Sequence, residues 1–173
     1  MEIFNTTWKV LIPIFKYPTK GLSIREISRL SKISHPSVIK IIKKLAEERM
    51  IFLERKAKMH LVRANLDNEE FVEAKKLYNI ISLKELVEYI AEKRLADVII
   101  LFGSYSQGTD TESSDVDIYA GYKNISLSSR ELERFEKNLS RKIQIFSGSM
   151  KKYPKELQEN ILNGVKLYGW ISL

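Results

Sequence analysis

Between residues 98 and 118 the chain reads VIILFGSYSQGTDTESSDVDI, and few folds accommodate that order of residues. The apolar run Val98 to Phe102 predicts a buried strand. Gly103 and Ser104 end it, and after a polar loop a second short strand, Asp115 to Tyr119, begins with two carboxylates. Strand side chains alternate between faces, so Asp115 and Asp117 share one face while Val116 and Ile118 share the other. Two carboxylates on one face suit a hard, oxygen-seeking cation such as Mg²⁺. The Gly-Ser pair at the end of the preceding strand offers backbone N–H groups, a small hydroxyl and close approach, which is what a phosphate needs. A phosphate cradle beside a Mg²⁺ pair is the outline of a nucleoside-triphosphate site.

Strand, Gly103-Ser104, Gly108, Ser114, then Asp115-Val116-Asp117 in the next strand resembles the signature of the polymerase-β nucleotidyltransferase superfamily, in its minimal branch. The resemblance covers roughly residues 82 to 170. It implies that Asp115, Asp117 and Ser104 are the catalytic residues, with Mg²⁺ held by Asp115 and Asp117. Gly103, Ser104 and Gly108 would bind the nucleotide: Ser104 and nearby N–H groups hold the β- and γ-phosphates, Gly103 leaves room for them, and Gly108 permits the tight loop. The ligand would be an NTP, with ATP the expected one, and the reaction transfer of a nucleotide to an acceptor. Relatives in this branch are often antitoxins that adenylylate a small helical toxin-like partner.

Two positions depart from the pattern. Many active relatives carry a third carboxylate on the following strand, where this chain has Gln144. An amide can coordinate through its oxygen but brings neither charge nor a base. Gln107 stands where relatives often have a basic residue, and Asp110 and Glu112 nearby are expected to be solvated. These departures favour nucleotide binding over turnover: Mg²⁺·NTP is expected to bind weakly, with transfer slow or dependent on a partner's group.

The net charge of +7 is unevenly placed. Residues 1–66 hold 14 Lys and Arg against 5 Asp and Glu, giving +9, and residues 67–173 hold 15 against 17, giving −2. A basic module joined to a near-neutral one points to nucleic acid. With no cysteine, disulfides, thiolate metal sites and cysteine nucleophiles are excluded, and two histidines make a histidine-rich metal site unfavourable. No apolar run approaches a membrane span and no signal pattern opens the chain, so a cytoplasmic protein that does not engage a membrane is expected.

In the basic module, Trp8, Leu11, Ile12 and Phe15 predict a helix over 5–17, capped by Asn5 or Thr6 and kinked or shortened by Pro13. Ser23 with Glu26 predicts a capping box for a short helix over 24–30. A third helix, about 34–49, should start on Ser34 with Pro36 in its first turn and bury Val38, Ile41, Ile42 and Leu45. Strands over 51–53 and 59–62 flank a basic turn, 54–58. The phrase SIREISRLSKISHPSVIKIIKKLAEERMIFLER resembles MarR-like winged helix-turn-helix regulators. That resemblance implies double-stranded DNA as partner. His35, Ser37, Ile39 and Lys40 would face base edges, and Lys43, Lys44, Arg55, Lys56 and Lys58 would meet phosphates.

The module boundary is expected at residue 66, followed by connector helices over 67–94 that start on Asp67 and on Ser82 paired with Glu85. The first of these could belong to either module or pack on a second copy in a homodimer. Ser128 with Glu131 opens a further helix, 142–146 reads as a strand, and a last helix from Pro154 leads to a short strand or tail over 165–168. The expected fold is thus α+β: an N-terminal winged helix-turn-helix over 1–66 and a polymerase-β-like domain over 67–173, a small mixed sheet with flanking helices. Two functions fit this sequence. One is a nucleotidyltransferase-like enzyme, an antitoxin-like regulator among its forms. The other is a DNA-binding transcriptional regulator whose degenerate transferase domain serves as nucleotide sensor or dimerisation unit.

Overall fold

The computed structural model describes residues 5–56, 59–93, 96–121 and 127–170. It divides into two compact units, Met1–Tyr78 and Asn79–Leu173.

The first unit contains α1 (Thr6–Lys16), β1 (Leu22–Ser23), α2 (Ile24–Ser31), α3 (His35–Glu47), β2 (Ile51–Lys56) and β3 (Met59–Ala64). Asn5 caps α1 by accepting from the Trp8 backbone N–H at 3.1 Å. Pro13 does not break this helix: its ring is buried beside Val10, Leu11, Ile14 and Phe15, and Tyr17 N–H still reaches its carbonyl at 3.1 Å. A proline forfeits one ladder bond, and burial of the apolar stripe offsets that loss. Ser23 and Glu26 form the expected capping box on α2. Ser34 precedes α3 without capping it, because its hydroxyl is engaged with that of Ser37 at 2.9 Å. Helices α1, α2 and α3 bury Ile14, Ile27, Val38, Ile42 and Leu45 against Ile51 and Val62 of the sheet. The sheet order is β1-β3-β2, antiparallel throughout. Three helices followed by this hairpin are a winged helix-turn-helix.

Helix α4 (Glu69–Ser82) runs across the division between the units, which falls between Tyr78 and Asn79, whereas the sequence suggested residue 66. Its N-terminus is held by Asn68, whose side chain accepts from Phe71 N–H at 2.8 Å, in place of the expected Asp67. Phe71 and Tyr78 join the first unit's core through ring contacts with Phe15, Phe71 tilted against it and Tyr78 stacked on it.

The second unit holds α5 (Lys84–Glu92), β4 (Val98–Phe102), α6 (Gly103–Gln107), β5 (Val116–Gly121), α7 (Ser129–Leu139), β6 (Ile143–Ser147), α8 (Lys155–Leu162) and β7 (Val165–Gly169). The sheet order is β6-β5-β4-β7. Strand β4 pairs antiparallel with β5 and β7, and β5 pairs parallel with β6 through the α7 crossover. Every residue of β4 is buried because both faces are covered. Ile99 and Leu101 pack with Leu83, just before α5, and with Leu86, Ile90, Phe135 and Leu139 of α5 and α7. Val98, Ile100 and Phe102 pack with Tyr119 and Ile161 of α8 on the other side. Ser128 and Glu131 form the predicted capping box on α7. Ser82 does not cap α5; its hydroxyl donates to the Asn79 carbonyl at 2.7 Å and meets the Tyr105 hydroxyl at 3.0 Å. Among the described residues, no helix is long and apolar enough to cross a membrane.

Candidate active site and candidate nucleic-acid face

The second unit's site forms where β4 ends. Phe102 is paired in register with Asp117, so the turn at Gly103 lies directly beside that carboxylate. Gly103 has φ +71°, and a Cβ there would come within 2.5 Å of Asp117 Oδ2. Glycine is needed twice over, for the left-handed backbone and for the space that the carboxylate occupies. The room it leaves is thus taken by Asp117, where the sequence assigned it to phosphate. Helix α6 then carries Ser104 in its first turn and ends on Gly108, also left-handed at φ +76°, whose N–H donates to the Ser104 carbonyl. Gly103→Ala is expected to cost about 1–2 kcal/mol from the backbone alone and to displace Asp117. Thermal unfolding reads the first effect and Mg·ATP titration the second.

Asp117 sits half-buried on the face of β5 opposite Val116 and Ile118. Burial pushes its carboxyl above the ordinary aspartate range, and the neighbouring Asp115 charge pushes the same way. Asp115 lies just before β5, where its Oδ2 accepts from the side-chain amide of Gln144 on β6. Gln144 is also the register partner of Asp117 across the parallel pair. Lys142, two residues earlier, is bound to Glu136 at 2.9 Å, and its ammonium is held protonated chiefly by that bond, with Asp115 contributing.

This donor set suits a divalent cation. Two hard anionic oxygen ligands stand close enough to raise the proton affinity of one of them, and a cation would relieve that repulsion. Among the described residues, no group of three or more His, Cys, Asp or Glu is assembled, so the site offers two carboxylates and an amide.

Asp110 is not solvated, contrary to the sequence reading. It is buried, 3.4 Å from the equally buried Arg141 guanidinium, and accepts from Asn79 Nδ2 at 2.7 Å. The same amide donates to the Tyr105 carbonyl at 2.9 Å. Asn79, Asp110 and Arg141 thereby pin α6 and the loop leading to Asp115. Tyr105 is sealed beneath them, and burial drives its hydroxyl up to about 12.

In the first unit, His35, Ser37, Lys40, Lys43 and Lys44 are exposed on α3, and Ile39 is partly covered. Arg55 is exposed on β2 and Lys56 closes that strand, while Lys58 lies outside the described residues. His35 also lines a groove of about 480 Å³ with Arg25, Ser28 and Arg29. Sequence reasoning missed Arg25 and Arg29. Their i, i+4 spacing on α2 puts them on one face, but only the fold places that face beside the start of α3.

Residues 84–169 match the family described as Polymerase beta, Nucleotidyltransferase. The second unit contains a nucleotidyltransferase domain. Strand β4, helix α6 and the Asp115–Asp117 pair all fall inside the matched segment of that nucleotidyltransferase domain. Among solved structures, the chain is similar to MepR, a transcription regulator of the Staphylococcus aureus multidrug efflux pump MepA. The identity is 18% over 54% of this chain and 70% of that one, with a TM-score of 0.41. No curated protein matches the sequence.

Proposed function

We propose that the nucleotidyltransferase domain binds a Mg²⁺·NTP, ATP in the first instance, between α6 and the Asp115–Asp117 pair, and that the winged helix binds double-stranded DNA. The observation that carries the first part is the apposition of Gly103 and Asp117: the turn that presents the α6 N–H groups touches the carboxylate that would hold the cation. Asp115 and Asp117 are the ligands in this reading, and Mg²⁺, when bound, neutralises triphosphate charge. The α6 N–H groups and Ser104 orient the β- and γ-phosphates.

Transfer of a nucleotide forms a bond from an acceptor oxygen to the α-phosphorus, breaks the α–β phosphoanhydride and releases pyrophosphate. The acceptor proton must go to a base. Gln144 cannot take it, so turnover is slow or draws a base from the acceptor or a partner protein. A small helical toxin-like protein is an acceptor consistent with this reading. Incubation with labelled ATP and Mg²⁺, comparing wild type with Asp115→Ala/Asp117→Ala, tests it. Label retained or transferred equally by both proteins sinks the nucleotide reading.

A second reading, a cytoplasmic homodimeric regulator whose transferase domain only senses nucleotide, is favoured by the amide of Gln144 standing against Asp115. The two readings share the DNA-binding face, supported by the +9 charge of residues 1–66 and by the cationic groove at Arg25, Arg29 and His35. Binding to a random-sequence duplex should weaken steeply with salt, because each phosphate neutralised releases counterions. Arg25→Ala/Arg29→Ala is expected to flatten the log–log salt slope by roughly 2, about 0.9 for each lost phosphate contact. Fluorescence anisotropy across a salt series reads this directly, and an unchanged slope removes the groove from the DNA face.

A further inference from the structure

Gln144 lies on the outermost strand of its sheet, and its side chain is exposed. An exposed glutamine on an edge strand is ordinarily free to move, and ordering it costs about 1.5–2 kcal/mol of side-chain entropy. Here it is ordered: its Nε2 donates to Asp115 Oδ2. The parallel register sets this up, since Gln144 is aligned with Asp117 and the side chain reaches along the sheet to the carboxylate two residues earlier.

The bond fixes the rotation of the Asp115 carboxylate, leaving Oδ1 as the oxygen available to a cation. Outer hydrogen bonds of this kind orient metal ligands elsewhere and set affinity by roughly 10–100-fold.

We infer that Gln144 is a positioning residue of the cation site, holding the Asp115 carboxylate turned so that Asp115 and Asp117 together take a single divalent cation. This rests on the Mg²⁺·NTP reading of the same carboxylates. It differs from treating Gln144 as a mere gap where a carboxylate is missing: the amide supplies a donor that a carboxylate lacks.

Mn²⁺ alone is the probe, followed by loss of the free-ion electron paramagnetic resonance signal on the full chain without nucleotide. Wild type is expected to bind one Mn²⁺, and Asp117→Asn to lose it. Gln144→Met keeps the length and bulk of the side chain and removes only the donor, so a packing role would leave Mn²⁺ affinity unchanged. Positioning predicts about tenfold weaker binding. Gln144→Ala is expected to match Gln144→Met, and circular dichroism confirms that both variants fold. If wild type binds Mn²⁺, Asp117→Asn does not, and Gln144→Met binds as wild type does, the positioning role is wrong and the cation site stands. If wild type binds no Mn²⁺, the site and the role fall together.

Discussion

Arg141→Met is expected to destabilise the second unit by about 3–5 kcal/mol, because it leaves the Asp110 carboxylate buried without its guanidinium. Both side chains are almost wholly enclosed, at 2% and 1% exposure, so water cannot replace the lost partner. The damage is greater than that of a surface ion pair, where the loss is about 0–1 kcal/mol. In urea the transition of this unit should shift down by about 2 M, taking a slope of roughly 2 kcal/mol per molar. Arg141→Met/Asp110→Asn should recover part of the loss, since the unpaired charge is then gone. If the single variant unfolds at the wild-type midpoint, the pair does not hold the loop as argued. The effect reaches the site, because Asn79 binds both Asp110 and the carbonyl of Tyr105 on α6.

Asp115→Asn/Asp117→Asn is expected to weaken Mg²⁺·ATP binding by about 100-fold or more. Two charged contacts are lost, each worth about 1.5–3 kcal/mol, and 1.4 kcal/mol is tenfold in affinity. The fold should survive, and for Asp117 it should improve. Burial and Asp115 raise the Asp117 pKa in the native protein, so the native state binds this proton more tightly than the unfolded chain does. Above the native pKa the ionised group therefore costs stability. As pH falls through the native and then the unfolded value, that cost disappears. Asp117→Asn should accordingly melt higher than wild type at neutral pH without cation, with the gap closing in the acidic range. Mg²⁺·ATP should raise the melting temperature of wild type alone, because ligand binding stabilises only the state that binds. Calorimetric scans at neutral and acidic pH, with and without Mg²⁺·ATP, read both effects. Equal ligand shifts in wild type and double variant would remove these carboxylates from the site.

What the sequence determined by itself is what depends on near neighbours and on period. The run Val98–Phe102 specified a buried strand, because a strand covered on both faces uses apolar residues in a row. The alternation around Val116 and Ile118 specified that Asp117 points away from the main core. The capping boxes at Ser23/Glu26 and Ser128/Glu131 close within one helical turn and needed nothing from the rest of the chain. Helix starts with a competing long-range or alternative partner were less legible. Asn68 displaced Asp67 at α4, Ser34 turned to Ser37, and Ser82 turned to Tyr105, because a serine, asparagine or aspartate side chain bonds whichever group the fold brings near.

Only the tertiary structure could bring together Asn79, Asp110 and Arg141, each 31 residues from the next it binds. The same holds for Gln144 and Asp115, 29 residues apart, and for Arg25 and His35 around one groove. Such pairings follow from strand order and helix packing, and no local pattern encodes them. A buried aspartate and a solvated one look alike in a polar loop, and the difference lies in which chain segment closes over them.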